Sequence, residues 1–323
     1  MSIPRWAAPA LLVPTLCLAT PAEAAAPFPS KPVSIVIPQA PGGANDVLAR
    51  IFAQKFQELW GQSVMVDFRP GAGVVVATQY VARSAPDGHT ICLVTSAHAI
   101  NPTLNKNLPY DTLKDFAAVA KLGQNAIGLV VMPSLGVSDV KGLIALAKRK
   151  PGELAHGSNG IGTGAHMAAE LFKSMAGVNM IHVPYKGGAP LYNDMLGGRI
   201  PVSFAILNSA MQYVKAGKMI VLGVTSLSRS DVYPEFPPIS DTLPGYELTT
   251  WSGLVVPAAT PKDIVQKIAT DVFAATRDAE VRRKLADLGY DVDPLGPAEF
   301  ETFIRAEIES KGKLVRSSDA KFE

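Results

Sequence analysis

The feature that most constrains this chain is a repeated unit: a short apolar run, a glycine-rich turn, then a helical pattern. The first copy is the clearest. Val33 to Ile37 reads as a strand, and the PQAPGGAND stretch from Pro38 to Asp46 reads as a tight turn. Val47, Leu48, Ile51, Phe52, Phe56 and Leu59 then recur at helical spacing. Gly42 and Gly43 carry no Cβ, so the backbone can bend sharply there and come close to a guest. The first amides of the following helix face outward without partners, at the positive end of the macrodipole. Such an end accepts an anion readily. The same stretch also reads as a surface turn in which Asn45 or Asp46 caps its own helix. One copy alone does not separate these two readings.

The unit recurs. Val64 to Asp67 is a short strand, Arg69 to Gly73 a loop, and Val75 to Arg83 a helix. Ala85-Pro86-Asp87-Gly88 is a strong turn signal before a strand at 90–94, which ends in Thr95-Ser96-Ala97-His98. Near Ile127 the pattern starts again with a strand to Met132. Ser138 is placed to cap a helix with Val140, Leu143, Ile144 and Ala147 on its apolar face. Lys148-Arg149-Lys150 suits that helix's negative end, and Pro151-Gly152 stops it. Leu154 to His156 leads into a second glycine-rich loop, Gly157 to Gly164. A helix bearing Met167, Leu171, Phe172 and Met175 on one face follows, with Gly177 just past its end. Next come a strand at 181–183, a loop at 184–188, a strand near 201–204, a helix near 209–216 and a strand at 219–225.

Tyr233 to Pro244 is proline-rich and breaks the regularity. Beyond it, Trp251 to Pro257 is similar to Leu129 to Pro133, and the two read as paired crossings between two lobes. Thr260-Pro261-Lys262-Asp263 has the form of a capping box with Pro at the first helical position. Amphipathic helices finish the chain, one carrying Phe300, Phe303, Ile304 and Ile308, and they are expected to pack back on the first lobe. The alternation predicts an α/β fold with largely parallel sheets. The expected division is residues 27–128 plus 251–323 as one domain and 129–250 as an inserted second. In such sheets ligands bind beyond the carboxyl ends of the strands. The two glycine loops then fall on different lobes, and two helix N-termini converge on one interdomain cleft. Thr95, Ser96, Ser158 and Thr163 offer hydroxyls there, and Tyr185 a ring edge or phenol.

The start of the chain reads as a secretion signal, residues 1–26. Arg5 precedes an apolar segment from Trp6 to Leu18, and Ala22-Glu23-Ala24 has the small residues of a cleavage site. That segment is too short to span a bilayer, which takes roughly 20 apolar residues. Loss of residues 1–24 removes one basic and one acidic residue, Arg5 and Glu23, so the net charge stays at +2. A balance so even argues against nucleic acid or an anionic membrane as partner. Only Cys92 remains in the processed chain, and a single thiol cannot form an internal disulfide. It lies in a buried-strand pattern and reads as a core residue.

Enzyme signatures fail on inspection. His156-Gly157-Ser158-Asn159-Gly160 approaches a nucleophile elbow, but His156 stands where that motif needs glycine. Gly160 to Gly164 lacks the dinucleotide spacing, and no phosphate-loop Lys-hydroxyl pair is present. The five histidines, at 89, 98, 156, 166 and 182, show no zincin-like spacing. The expectation is a non-enzyme without cofactor or metal.

Taken together the motifs resemble the Bug family of periplasmic solute-binding proteins, the TctC-like receptors of tripartite tricarboxylate transporters. The resemblance rests on SKPVSIVIPQAPGGANDVLAR at 30–50, RPGAG at 69–73, APDGHT at 85–90 and NLPYDTLKDFAAVA at 107–120. It continues through GSNGIGTGAHMAAELFKSMAG at 157–177, VPYKGGAP at 183–190 and AGKMIVLGVTS at 216–226. It implies a two-lobed type II periplasmic-binding fold, each lobe a mostly parallel sheet flanked by helices, that closes on a carboxylate. It also implies a pocket lined by loops at 40–46, 95–97, 162–166 and 185–187. The expected ligand-binding residues are Pro41, Gly42, Gly43, Asp46, Thr95, Ser96, Ala97, Gly162, Thr163, Gly164, His166, Tyr185, Lys186 and Ala205. Asp46 keeps two readings, helix cap or pocket contact. Ala205 is a departure, because many family members carry an acid there; its loss implies a ligand without an amino group. The implied setting is the periplasm. The implied partners are a small carboxylate and the transmembrane subunits of the transporter, with the protein itself a monomer. A periplasmic sensor feeding a signalling kinase would share this fold and pocket.

Overall fold

The structure is a computed structural model, which describes residues 27–39, 41, 44–71, 74–105, 107–160, 163–185 and 187–317. The expected signal segment lies outside the described residues. The chain builds two separate sheets. It begins with β1 (Val33–Ile37), α1 (Ala44–Trp60), β2 (Val64–Phe68), α2 (Val75–Ala82), β3 (Thr90–Thr95), α3 (Ala97–Leu104) and β4 (Phe116–Asn125). A second sheet then forms from β5 (Ile127–Val131), α4 (Val140–Arg149), β6 (Ala155–Ser158), α5 (Gly164–Ala176), β7 (Ile181–Pro184), α6 (Gly188–Leu196), β8 (Val202–Ile206), α7 (Leu207–Lys215) and β9 (Ile220–Val224). The chain returns to the first sheet with β10 (Thr250–Pro257), then α8 (Lys262–Arg277), α9 (Ala279–Asp287), β11 (Tyr290–Asp291) and α10 (Pro297–Ser317).

The first sheet has the strand order β11-β4-β10-β3-β1-β2, and the second β7-β6-β8-β5-β9. Both are mixed in their pairings, which qualifies the expectation of mostly parallel sheets. β1 pairs parallel with β2 and β3, and β6 parallel with β7 and β8. β10 runs antiparallel between β3 and β4, and β5 antiparallel between β8 and β9. Those two reversed strands are the ones on which the chain enters a new sheet. The passage out is short, between Asn125 at the end of β4 and Ile127 at the start of β5. On the way back, Thr225 N–H donates to Ile127 O and Leu248 N–H to Thr225 O at 2.9 Å each, so the second sheet holds the chain almost until Thr250.

Each sheet is covered on both faces. On the first, Ile35, Ile91 and Leu254 pack with Phe52 and Phe56 of α1 and with Ile268 and Val272 of α8. The opposite face carries Val36, Cys92 and Trp251 against Ala77 and Val81 of α2 and Phe300 and Ile304 of α10. On the second, Leu129 and Phe204 meet Leu143 of α4 and Phe172 of α5. Its other face joins Val130 and Ala205 to Leu191 and Tyr192 of α6 and to Leu207 and Met211 of α7. Removing a core aromatic such as Phe52 would cost about 3–5 kcal/mol. The apolar stripes are narrower than their spacing predicts. Val47 and Leu59 on α1 are 40% and 44% exposed, and Met175 on α5 is 38% exposed.

Two expected caps are replaced. Asp139, not Ser138, caps α4: its carboxylate accepts from Gly142 N at 2.7 Å. The capping box before α8 does not form, because Thr260 Oγ1 turns back to donate to Pro257 O at 2.7 Å. The closing helices pack on the first sheet as expected, with one addition. The far end of α10, at Leu314 and Val315, lies against the core of the second sheet. α10 therefore bridges both lobes.

Candidate functional site

Three helix starts meet on one short stretch, Thr250 to Ser252, where β10 re-enters the first sheet. Ser252 Oγ approaches Asn45 Oδ1, in the first turn of α1, at 3.5 Å. Ser96 immediately precedes α3, and its N–H donates to Trp251 O at 3.1 Å. Gly164 opens α5, and a Cβ built on it would lie 2.1 Å from Thr250 Cγ2. Side chains alternate along a strand, so Thr250 and Ser252 share one face while Trp251 points to the other. Trp251 is 1% exposed and packs edge-on to Phe300 and Phe303 of α10, with Nε1 donating to Glu307 Oε2 at 2.9 Å. Thr95 ends β3 directly opposite Ser252.

The α5 start belongs to the second lobe and the α1 and α3 starts to the first. Thr163 caps α5: its Oγ1 accepts from His166 N at 3.3 Å and donates to Gly160 O at 2.8 Å. That hydroxyl is committed to shaping the loop. The amides of Gly164 and Ala165 precede any intrahelical acceptor by position, as do those of Ala97 and His98 at the start of α3. The first turn of α1 carries a carboxylate of its own. Asp46 is 6% exposed and accepts from Arg50 Nε at 2.6 Å. A carboxylate is favourable there, and the Arg50 charge offsets it.

The remaining predicted residues divide. Pro41 is exposed in the turn before α1, and Ala97 is partly buried at the start of α3. Gly42, Gly43, Gly162 and Lys186 lie outside the described residues. The Tyr185 phenol donates to Asp194 Oδ2 at 2.7 Å, and Arg199 holds the same carboxylate. Burial and that carboxylate push the phenol up to about 12. Ala205 is 4% exposed inside the apolar cluster on the α6 and α7 side of its sheet.

His166 is buried in a larger arrangement. Its ring stacks on His182 at 4.0 Å between centroids, and His182 stacks on His156 at 5.0 Å. Glu170 Oε1 lies 3.7 Å from His166 Nε2 and 3.8 Å from His156 Nε2, and is paired with Lys173 Nζ at 2.8 Å. Ser158 Oγ shares a 2.7 Å hydrogen bond with His182 Nε2 and donates to Gly160 O at 3.1 Å. The stack therefore braces the glycine loop from behind. Burial holds His166 and His182 down to about 4 and His156 to about 2, so all three are neutral near pH 7. Among the described residues no group of His, Cys, Asp and Glu has metal-holding geometry. Cys92 is fully buried and its thiol is pushed up to about 12, which leaves it inert.

The sequence profile described as the tripartite tricarboxylate transporter family receptor matches residues 48–319. The chain belongs to that receptor family. BugT of Bordetella pertussis is 31% identical to this family member over 314 residues, covering 96% of each chain. An R. palustris structure with adipate aligns at a TM-score of 0.77 and 33% identity, over 90% of this chain and 97% of that one. MatC of Rhodopseudomonas palustris with bound malate aligns at 0.72 and 27% identity, over 89% and 100%. Among the described residues of this receptor-family chain no helix is long and apolar enough to cross a membrane. Two features of its site escape sequence reasoning. The histidines at 156, 166 and 182 come from two strands and a helix, and only the pairing of β6 with β7 aligns His156 with His182. Ser252 lies on the predicted crossing, Trp251 to Pro257, whereas Thr250 falls one residue before it and opens β10 in the structure.

Proposed function

We propose that this protein captures a small carboxylate between its two lobes and delivers it to the membrane subunits of a tripartite tricarboxylate transporter. The observation that carries this reading is the convergence of the α1, α3 and α5 starts on Thr250 to Ser252. Helix N-termini favour negative charge, and starts drawn from both lobes reward the closed state. A ligand touching both lobes binds that state better and shifts the population by the difference in affinity. The relatives with adipate and with malate support a carboxylate. In this reading the protein works as a monomer in the periplasm after removal of residues 1–26, with the stretch between β4 and β10 forming the second lobe. Its task is binding rather than turnover.

The ligand in this reading lacks an amino group, since Ala205 replaces the acid that would pair with one. Native mass spectrometry of freshly purified protein, followed by calorimetry with a panel of mono-, di- and tricarboxylates, tests the proposal. A co-purified acid and micromolar or tighter binding of at least one panel member are expected. A panel without any binder would sink it, and selective tight binding of a zwitterionic amino acid would sink the Ala205 reading. Co-purification with a large and a small membrane subunit is expected; a stable ligand-dependent complex with a sensor ectodomain instead would move the protein to signalling.

A further inference from the structure

Ser158 ends β6 fully buried, and its hydroxyl stands at the centre of a ring of hydrogen bonds. Ser158 Oγ lies 2.7 Å from His182 Nε2, 3.1 Å from Gly160 O and 3.4 Å from Gly160 N. The Gly160 carbonyl takes a second hydroxyl, from Thr163 Oγ1 at 2.8 Å. Thr163 Oγ1 in turn accepts from His166 N, in the first turn of α5. His182 on β7 is thus joined to the start of α5 through one glycine carbonyl. Gly160 sits at φ 142°, in the region that favours glycine, and with no side chain to pack it depends on these bonds for its place.

A serine hydroxyl has one proton to give and two lone pairs to receive with. If the proton goes to His182, the Gly160 carbonyl keeps Thr163 alone. If His182 carries its own proton on Nε2, the ring closes. Ser158 Oγ then accepts from His182 and from Gly160 N–H, and donates to Gly160 O. The other rings hold the imidazole in place: His166 stacks on it at 4.0 Å between centroids and His156 at 5.0 Å. The Glu170 carboxylate beside the stack is taken by Lys173 at 2.8 Å. An oxygen held by two hydroxyls has its lone pairs engaged within the loop. Released, the glycine peptide rotates easily and can turn that oxygen toward the α5 start, where it repels an anion.

We propose that His182 is a positioning residue for anion capture: its Nε2–H holds Ser158 Oγ, so that the serine proton stays on the Gly160 carbonyl and keeps that oxygen away from the ligand. This rests on the reading of the cleft as a carboxylate site. His182 itself touches no ligand in this scheme.

The test joins calorimetry, with malate and adipate as probes, to nitrogen NMR of the imidazoles at pH 7. The His182 signal, assigned by its loss in His182→Phe, is expected to show the Nε2–H tautomer. His182→Phe keeps an aromatic ring in the stack and removes both nitrogens. It should weaken the bound probe about tenfold, as should Ser158→Ala, and the double variant should be little worse than either. The Ser158 carbonyl accepts separately from Tyr185 N–H at 2.9 Å, so the strand pairing survives loss of the hydroxyl. His182→Gln restores an N–H donor and should recover affinity to within about threefold. A merely structural histidine would lower the melting temperature, give losses that add in the double variant, and gain nothing from Gln over Phe. Wild-type affinity in His182→Phe or Ser158→Ala, additive losses, or the Nδ1–H tautomer overturns the proposal. If His182→Phe fails to fold, the tautomer, assigned instead by its loss in His182→Gln, and Ser158→Ala still decide it. If no acid of the panel binds the wild type, the carboxylate reading falls and takes this one with it; binding that is indifferent to the relay removes this one alone.

Discussion

Gly164 carries the tightest steric constraint in the site. Its absent Cβ would lie 2.1 Å from Thr250 Cγ2 and 3.3 Å from Ile127 Cδ1, so even alanine must push α5 away from β10. Gly164→Ala is therefore expected to cost about 1–3 kcal/mol of stability as well as affinity. This is more than a blocked approach to a ligand, which is all that the glycine-rich sequence implies. Thr250→Ser removes the offending methyl, so the double variant should recover most of the loss; urea melts of the four proteins in the cycle check this, and simple additivity would refute the contact. Val74 is a second special position. It precedes α2 at φ 77°, in the left-handed region that a β-branched residue avoids, at a cost of about 1–3 kcal/mol. Val74→Gly should raise the denaturation midpoint by about 1 kcal/mol equivalent once the greater chain entropy of glycine is subtracted. His98 gives the pH prediction. It is 1% exposed among Tyr110 and Phe116, neither ring nitrogen is hydrogen-bonded, and burial holds it down to about 4. A folded-state value below the unfolded one means that the unfolded chain takes the proton first. The stability is present above about pH 6.5 and is lost as pH falls toward 4, by about 2 kcal/mol between pH 7 and 5. His166 and His182 act in the same direction. Urea midpoints across that range should fall with acid, and His98→Gln should flatten the slope.

The elements that sequence announces are those whose neighbours agree with their own pattern. β1, β3, β5 and β8 are apolar runs buried on both faces, and they are legible for that reason. β4 is not. Its alanines, Lys121 and Gly123 give little strand propensity, and it is a strand because β10 and β11 pair with it and Asp293 takes the Lys121 charge. α3 contains Pro102, and α6 starts on two glycines and a proline, so neither carries the periodic signal that would mark it. Of the candidate site, the helix starts are legible where a glycine marks them, as Gly164 marks α5. The site is illegible where it depends on a strand returning from a distance of more than a hundred residues, as Thr250 does. α10 makes a prediction of its own. It joins Phe300 and Ile304 in one lobe's core to Leu314 and Val315 against the other, and its Glu307 holds the Trp251 indole. Movement between the lobes is expected to reach that hydrogen bond through α10, because Leu314 and Val315 tie the far end of the helix to the second lobe. Ligand addition should change the tryptophan emission; the change should vanish in Trp251→Phe and persist in Trp60→Phe, and the reverse pattern would rule out α10 as the moving contact.

At the scale of the molecule, a ligand that bridges the lobes stabilises the whole. Saturation at about a hundred times the dissociation constant adds about 2.7 kcal/mol, which for a chain of this size amounts to a rise of roughly 5–10 °C in the melting temperature. A thermal-shift series with the acid found by calorimetry checks this, and a flat series would mean that binding does not discriminate folded from unfolded chain. The strand order has another consequence. β10 sits inside the first sheet, between β4 and β3, yet it is made only after every strand of the second sheet. During synthesis the first lobe is left with a gap at its centre, a slot flanked by two unpaired strand edges, until residues 250–257 arrive. Such edges invite pairing with other chains, and pairing across so long a sequence separation is slow. For the exported receptor proposed above, that delay postpones closure of the N-terminal half until residues 250–257 have followed it.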